Sequence, residues 1–168
     1  PENFAAISAA TDQIAYLGYI DQQLSYQRSR LFVISADGSE PRELADDLDR
    51  SIYGVRWSKD GKRIYFLYDD EGDTVLASTD LRGRVKELQR GLGGLSLGRP
   101  YSGAAFAAVG DGSYVFTKSA ISAPAELALG KNGKELRALT SLNANWMGSR
   151  SFASVEERWV TSKADGER

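Results

Sequence analysis

The chain has 168 residues, of which 42% are hydrophobic, 26% charged and 10% aromatic, as is ordinary for a soluble globular protein. A net charge of −2 gives no electrostatic basis for binding nucleic acid or an anionic membrane. The sequence has no cysteine and no histidine, which excludes disulfides, zinc–thiolate sites and a Ser-His-Asp triad within this chain. We expect no cofactor and no metal, and a cytoplasmic location, with which the lack of cysteine is compatible.

The ends of the chain suggest a segment of a longer protein. It starts at Pro1 without an initiator methionine and stops abruptly at Arg168. No apolar run approaches the roughly 20 residues of a membrane span, and the start shows no signal-peptide pattern. We therefore expect no membrane segment.

The first predicted unit, about residues 1–48, contains four short strand-like runs separated by polar turns. The first run, residues 4–9, leads through a Thr11-Asp12 turn into Ile14–Ile20. After a polar link come Arg30–Ser35, an Asp-Gly turn at residues 37–38 and a short fourth run at residues 42–45. Turns at these points are expected because Gly and Asp accept the backbone conformations that tight turns require.

The second unit, about residues 49–98, is built around a predicted hairpin from Trp57 to Tyr68. Asp60-Gly61 lies between two strand-like runs, which is a strong hairpin signal. The run Ile64–Tyr68 is uninterrupted by polar residues, as is typical of a strand covered on both faces. Covering both faces requires a neighbouring sheet on each side, so the hairpin predicts stacked copies of one unit.

The third unit, about residues 99–145, repeats the same layout. The first-turn aspartates Asp12, Asp60 and Asp111 are 48 and 51 residues apart, and the second turns recur nearly in phase with them. Four short strands in each repeat of roughly 40–50 residues are typical of β-propeller blades. We predict an all-β fold with a partial propeller over residues 1–145. A β-sandwich is the structural alternative, but it does not require the turns to recur in phase.

Three blades do not close a ring, and the end sheets of such a fan would be uncovered. We therefore expect a larger propeller or self-association.

The Gly-rich connection between the second and third units contains a motif that also occurs at the catalytic serine of hydrolases. Residues Gly94-Leu95-Ser96-Leu97-Gly98 match G-x-S-x-G, the nucleophile elbow of many hydrolases. The elbow needs a following helix and a histidine base, and the sequence provides neither. We interpret this run as a connecting loop and predict no catalytic residue in the chain.

Two acidic clusters are candidate cation sites. Asp69-Asp70-Glu71-Gly72-Asp73 has clustered oxygens but lacks the spacing of a dedicated calcium loop. The cluster of Asp46, Asp47 and Asp49 is similar. A solvated surface turn is the favoured interpretation of both, so no metal ligand is predicted.

The remaining candidates are aromatic residues and arginines. Large aromatics at matching strand positions predict packing between blades rather than a stacking platform; they are Trp57, Tyr65, Phe66, Tyr68, Tyr114 and Phe116. Trp146 and Trp159 lie outside the repeat. Four arginines could reach a central channel and hold a carboxylate there: Arg28, Arg30, Arg99 and Arg150. The sequence does not distinguish them from ordinary surface arginines, so no substrate-binding residue is assigned.

With the repeats laid out, the chain resembles the propeller domain of the prolyl oligopeptidase family of serine peptidases, in particular its acylaminoacyl-peptidase branch. Three stretches carry the resemblance: Leu31–Gly38, Trp57–Phe66 and the Leu139-Thr140-Ser141-Leu142-Asn143 phrase. Residues 155–166 look like the strand that crosses into the hydrolase domain, so residues 146–168 would be a linker leading toward it.

The resemblance implies a non-catalytic role. In these peptidases the propeller caps the active site and admits short peptides, so the expected partners are the hydrolase domain and short peptide substrates. A TolB-like interaction propeller without an enzyme is the rival from another class, and a lectin-like carbohydrate binder is a third alternative supported only by aromatic content.

Overall fold

The computed structural model describes residues 5–94, 103–120 and 122–166. These residues form three four-stranded antiparallel meanders, which confirms the prediction of an all-β propeller segment with about three blades. The only helix in the described ranges is α1 (Ala144–Met147), and its four residues are too few to cross a membrane.

Blade 1 is a separate sheet in which neighbouring strands pair in chain order. Its strands are β1 (Ala5–Ile7), β2 (Gln13–Gly18), β3 (Arg30–Ser35) and β4 (Arg42–Leu44).

Blade 2 has longer strands and is the best-buried part of the described chain. Its strands are β5 (Ile52–Trp57), β6 (Arg63–Asp70), β7 (Asp73–Asp80) and β8 (Val85–Leu92).

Blade 3 repeats the meander and ends on an exposed edge strand. Its strands are β9 (Phe106–Ala108), β10 (Ser113–Ala120), β11 (Ala123–Lys131) and β12 (Lys134–Ala138).

One hydrogen-bonded bridge joins blades 2 and 3. Strand β9 covers β10 only as far as Phe116, and beyond it Lys118 pairs with Leu92 at the end of β8. The inner edge of β10 would otherwise present unpaired backbone groups there. The two blades therefore form one continuous sheet, whereas no strand pairing joins blade 1 to blade 2 within the described residues.

Because successive antiparallel strands reverse direction, the turns of each blade fall at two opposite ends. The end that carries the β2–β3, β4–β5 and β6–β7 connections is called the upper face. The opposite end, which carries the β1–β2, β5–β6, β9–β10 and β11–β12 turns, is called the lower face. Strand β12 runs from its lower-face turn at Asn132-Gly133 upwards, so the chain leaves blade 3 at the upper face.

The hydrophobic core lies between the blades in two layers. Ile64, Phe66 and Tyr68 of β6 pack toward blade 1, while Tyr65 and Leu67 of the same strand pack toward blade 3. All five are at most 6% exposed, which confirms the prediction that this strand is covered on both faces. The predicted interblade packing of the large aromatics is also found, since Tyr114 and Phe116 join the second layer.

Two contacts near the lower face join the inner parts of blades 1 and 2. The Trp57 indole Nε1 donates a hydrogen bond of 2.9 Å to the backbone carbonyl of Ala6. Gly61, at a φ of 65°, is buried against the β1–β2 turn, and a Cβ there would lie 2.9 Å from Cγ2 of Thr11. Gly61 therefore serves both the turn conformation and the close approach of two blades.

The tail beyond α1 forms no regular secondary structure in the described residues 149–166. A strand is defined by its pairing, and residues 155–166 meet no partner strand within the described chain. That they cross into another domain stays a prediction.

We predict that Gly61→Ala lowers the free energy of unfolding by about 2–4 kcal/mol, the sum of left-handed backbone strain and overpacking against blade 1. Gly72→Ala is the matched control, because Gly72 has a φ of 86° but open space around its Cβ position. The control should cost only about 1–2 kcal/mol. Equal losses for both variants in urea unfolding would contradict an interblade role for Gly61.

Candidate functional site

The upper face carries a polar pocket of about 400 Å³ between blades 1 and 2. It is lined by two aromatic hydroxyls, two guanidinium groups and two carboxylates, together with a serine: Tyr26, Tyr53, Arg28, Arg50, Asp49, Asp69 and Ser51. These residues come from the β2–β3 connection, the β4–β5 connection and the ends of β5 and β6, which the meander brings to the same end of the blades.

The side of the pocket nearest blade 1 is organised by Ser51. Its Oγ lies 2.7 Å from the Tyr26 hydroxyl and accepts a hydrogen bond of 3.2 Å from the backbone N–H of Ser29. The β2–β3 connection is thus tied to the start of blade 2, and Tyr26, although 72% exposed, has a defined position at the rim.

The arginines predicted to reach a carboxylate are engaged with the protein. Nη1 of Arg28 donates to the Leu48 carbonyl at 2.9 Å and to Asp49 at 3.1 Å, and Arg30 pairs with Glu43 at 3.1 Å. Arg150 lies away from this pocket, with its guanidinium 4.3 Å from the centre of the Trp146 ring. Arg99 lies outside the described residues.

The predicted acidic turn is part of the same upper-face network. Glu71 and Gly72, both with positive φ, form the tip between β6 and β7. The Asp70 carboxylate lies between Arg50, at 2.9 Å, and Arg90, at 2.7 Å. These guanidiniums, Arg90 first, hold the pKa of Asp70 below its usual range, and the same contact raises the pKa of Arg90.

The neighbouring carboxylate, Asp69, is held by hydroxyl groups. It accepts hydrogen bonds of 2.7 Å from the Tyr53 hydroxyl and of 2.7 Å from Thr74 Oγ1. Asp69 and Asp70 therefore have different partners, neutral hydroxyl groups for Asp69 and guanidinium groups for Asp70. The other predicted acidic cluster contributes only Asp49 to the pocket.

A second cavity on the upper face, of about 610 Å³, lies between the ends of blades 2 and 3 and has a predominantly apolar lining. Leu92, Pro124, Trp146 and Phe152 contribute its hydrophobic surface. The Trp146 and Phe152 rings are in contact, with their centres 6.2 Å apart, and each is about half exposed. The segment that follows blade 3 thus folds back and forms one wall of this cavity, with Trp146 and Phe152.

The Leu139–Asn143 phrase singled out from the sequence has a defined structure at the upper face. The Glu126 carboxylate of β11 accepts hydrogen bonds from Thr140 Oγ1, from the Asn143 backbone N–H at 2.9 Å and from Asn143 Nδ2 at 3.0 Å. Thr140 Oγ1 in turn accepts from the Leu127 N–H at 2.8 Å. These donors, Thr140 first, lower the pKa of Glu126 to about 2.

Several of these residues were not predicted from the sequence. Arg50 and Arg90 are each 20 positions from Asp70 and meet it only through the β5–β6 and β7–β8 pairings. No local sequence pattern predicts the role of Glu126 either, because its partners Thr140 and Asn143 follow β12, 14 and 17 residues later in the chain. The G-x-S-x-G motif is described only at Gly94; residues 95–98 lie outside the described residues.

We predict that Asp70→Asn destabilises the fold by about 1–2 kcal/mol, because Arg50 and Arg90 lose their shared charged acceptor at a partly buried site. Asp73→Asn is the control, since Asp73 is an exposed carboxylate at the same turn with no ion pair among the described residues. Urea unfolding at neutral pH measures both. A control loss as large as that of Asp70→Asn would show that the arginine network has no special role.

We predict that Glu126→Gln makes the chain less sensitive to acid. Glu126 has a lowered pKa in the folded chain, so its stabilisation is complete above its ordinary pKa and is lost as the pH falls toward 2. The glutamine variant lacks this contribution, so its stability should fall less between about pH 4.5 and pH 2. Glu40→Gln, at an exposed residue without a described side-chain contact, should keep the wild-type pH profile. Identical profiles for wild type and Glu126→Gln in pH-dependent unfolding would refute the assignment.

No protein-family model matches the sequence, and no curated protein is detectably similar to it. Solved structures do match. The β-propeller domain of the Trilobed protease from Pyrococcus furiosus, described as having an open velcro topology, has a TM-score of 0.57 and 24% identity. That match covers 79% of this chain and 36% of the other.

The Pyrococcus horikoshii acylaminoacyl peptidase has a TM-score of 0.61 and 22% identity, covering 84% of this chain and 20% of that one. An oligogalacturonate lyase in complex with manganese has a TM-score of 0.52 and 16% identity, over 75% of this chain and 32% of the lyase.

The chain therefore spans about a fifth to just over a third of the length of these structures. Because a lyase is found beside two peptidases and every identity is below 25%, the likeness shows the fold and leaves the function open. The chain has the β-propeller fold, and its structural neighbours include the propeller domains of acylaminoacyl peptidase and the Trilobed protease.

Proposed function

We propose that the chain is the non-catalytic propeller part of a prolyl-oligopeptidase-type serine peptidase, either an acylaminoacyl peptidase or an oligopeptidase. In this role it controls the access of short peptides to the active site of an attached hydrolase domain. The observation that carries the proposal is the anchored Leu139–Asn143 phrase, which leads the chain out of blade 3 at the upper face.

The chain leaves blade 3 at the upper face, and this position is consistent with a cavity between the propeller and an attached domain. A domain connected through residues 146–166 would lie over the upper face, where the polar pocket and the apolar cavity both open. Ligand sites are favoured at such domain boundaries, because two surfaces can exclude water from a shared space. The propeller would then limit access by size and by charge.

The composition of the upper face suits short peptides. The apolar cavity has room for a hydrophobic side chain of a peptide, and the polar pocket beside it is lined by charged groups of both signs. The chemistry of peptide cleavage would come entirely from the hydrolase domain, since a histidine base is missing from this sequence.

We predict that the 168-residue chain does not hydrolyse acyl-peptide or peptidyl chromogenic substrates. Clear turnover would contradict the proposal. The coding sequence downstream of Arg168 gives an independent test, because a hydrolase domain with G-x-S-x-G and a later histidine is expected there. A stop codon at that point would favour the TolB-like interaction propeller instead.

In the full-length enzyme, Trp146→Ala should change kcat/KM for short peptides several-fold while leaving a small activated ester nearly unaffected, because the ester needs little of the apolar wall. Trp159→Ala is the matched control, a half-exposed tryptophan of the same tail that does not line the cavity. Parallel effects of both variants on peptide and ester would contradict gating by the upper face.

A further inference from the structure

The lower face carries a narrow groove between blades 2 and 3 that the proposed function does not use. Its volume is about 240 Å³, and its walls are the β5–β6 turn, the lower parts of β6 to β8 and the β9–β10 turn. Drug-sized ligands occupy pockets of roughly 300–1,000 Å³, so this groove suits a smaller chemical group.

The sheet register places a row of polar side chains along one wall. Tyr65 of β6 is opposite Ser78 of β7, and Ser78 is opposite Lys86 of β8. Side chains opposite one another lie on the same face of a sheet, here the face toward blade 3. Arg63, two residues before Tyr65, lies on that face as well, and Lys59 reaches the groove from the β5–β6 turn.

These five side chains have donor groups without an acceptor among the residues that the structure describes. Among the described residues, no ion pair involves Lys59, Arg63 or Lys86, and no hydrogen bond uses the hydroxyl of Tyr65 or Ser78. Tyr65 is 6% exposed and Ser78 is 1% exposed. The hydroxyl oxygens of Tyr65 and Ser78 are accessible from the groove, because Thr11 Oγ1 is the only buried side-chain polar atom without a hydrogen-bond partner in the described part of the chain. Two free hydroxyls and three unpaired cations that line one groove are therefore available to an acceptor from outside the chain.

The charge balance of the groove favours an anion. Of its two carboxylates, Asp111 is neutralised by Lys131 at 2.7 Å. Asp60 uses Oδ1 to accept hydrogen bonds from Ser58 Oγ at 2.7 Å and from the Lys62 N–H at 3.1 Å. Three cations therefore face one remaining carboxylate, in a chain whose overall net charge is −2.

We propose that the groove binds the phosphate group of a small molecule, with Lys59, Arg63 and Lys86 supplying charge and Tyr65 and Ser78 supplying hydroxyl donors. A phosphate has several acceptor oxygens and carries up to two charges, which matches this donor set better than a single carboxylate does. Burial raises the pKa of the Tyr65 hydroxyl, so this group keeps its proton and remains a donor at neutral pH.

The test is calorimetric or NMR titration of the 168-residue chain at constant ionic strength, with inorganic phosphate in one arm and phenyl phosphate in the other. Saturable binding of either anion is expected. Tighter binding of phenyl phosphate would identify a phosphomonoester as the ligand, and tighter binding of inorganic phosphate would identify the free ion. Absence of saturable binding in both arms overturns the proposal.

Four variants separate a site from general surface charge. Tyr65→Phe and Lys86→Gln should each weaken binding about five- to tenfold, since each removes a hydrogen bond to a charged group. Lys134→Gln, at an exposed lysine of β12 outside the groove, should have no effect. Asp60→Asn keeps the Oδ1 acceptor but removes the negative charge, so it should strengthen binding about two- to fivefold.

The Asp60→Asn result keeps the test decisive if a variant is destabilised, because damage to the fold cannot tighten a site. Circular dichroism and thermal unfolding verify that each variant is folded. Equal weakening by Lys86→Gln and Lys134→Gln, or unchanged binding in Tyr65→Phe, would show nonspecific attraction and overturn the proposal. None of these outcomes depends on peptidase activity.

Discussion

The burial of β6 on both faces is the constraint on which the rest of the structure depends. Each fully buried large apolar side chain contributes about 1.5–3 kcal/mol, and β6 directs such side chains alternately toward blades 1 and 3. Blade 2 therefore has no face of its own to present to solvent. Its stability depends on the blades beside it, as in other architectures in which each repeat buries its surface against its neighbours.

The same stacking leaves the outer faces of blades 1 and 3 without a covering blade among the described residues. The stacked rings of Tyr16 and Phe32, with centres 5.3 Å apart, lie half-buried on blade 1, and Leu127 is 40% exposed on blade 3. In a longer propeller these positions would join further interblade layers. This agrees with the expectation of a larger propeller or of self-association.

Since the middle of each blade is core, polar chemistry is confined to the strand ends, and the two ends differ. At the upper face the charges are paired with one another, as in the Arg50–Asp70–Arg90 arrangement, and both larger cavities open there. At the lower face the groove between blades 2 and 3 has cations and hydroxyls that the described chain does not satisfy. The first arrangement suits a surface facing another domain, and the second suits an added anion.

The sequence by itself determined the repeat, the Asp-Gly turns and the two-sided burial of Ile64–Tyr68, because these depend on local composition and on the spacing of apolar residues. It also singled out Leu139–Asn143. Only the tertiary structure decided that Glu126 anchors this phrase, that Asp70 joins two arginines, and that Tyr65, Ser78 and Lys86 form one row. Those contacts depend on strand register and on how the blades stack, and residues 8–20 positions apart in the chain have no local signal that pairs them.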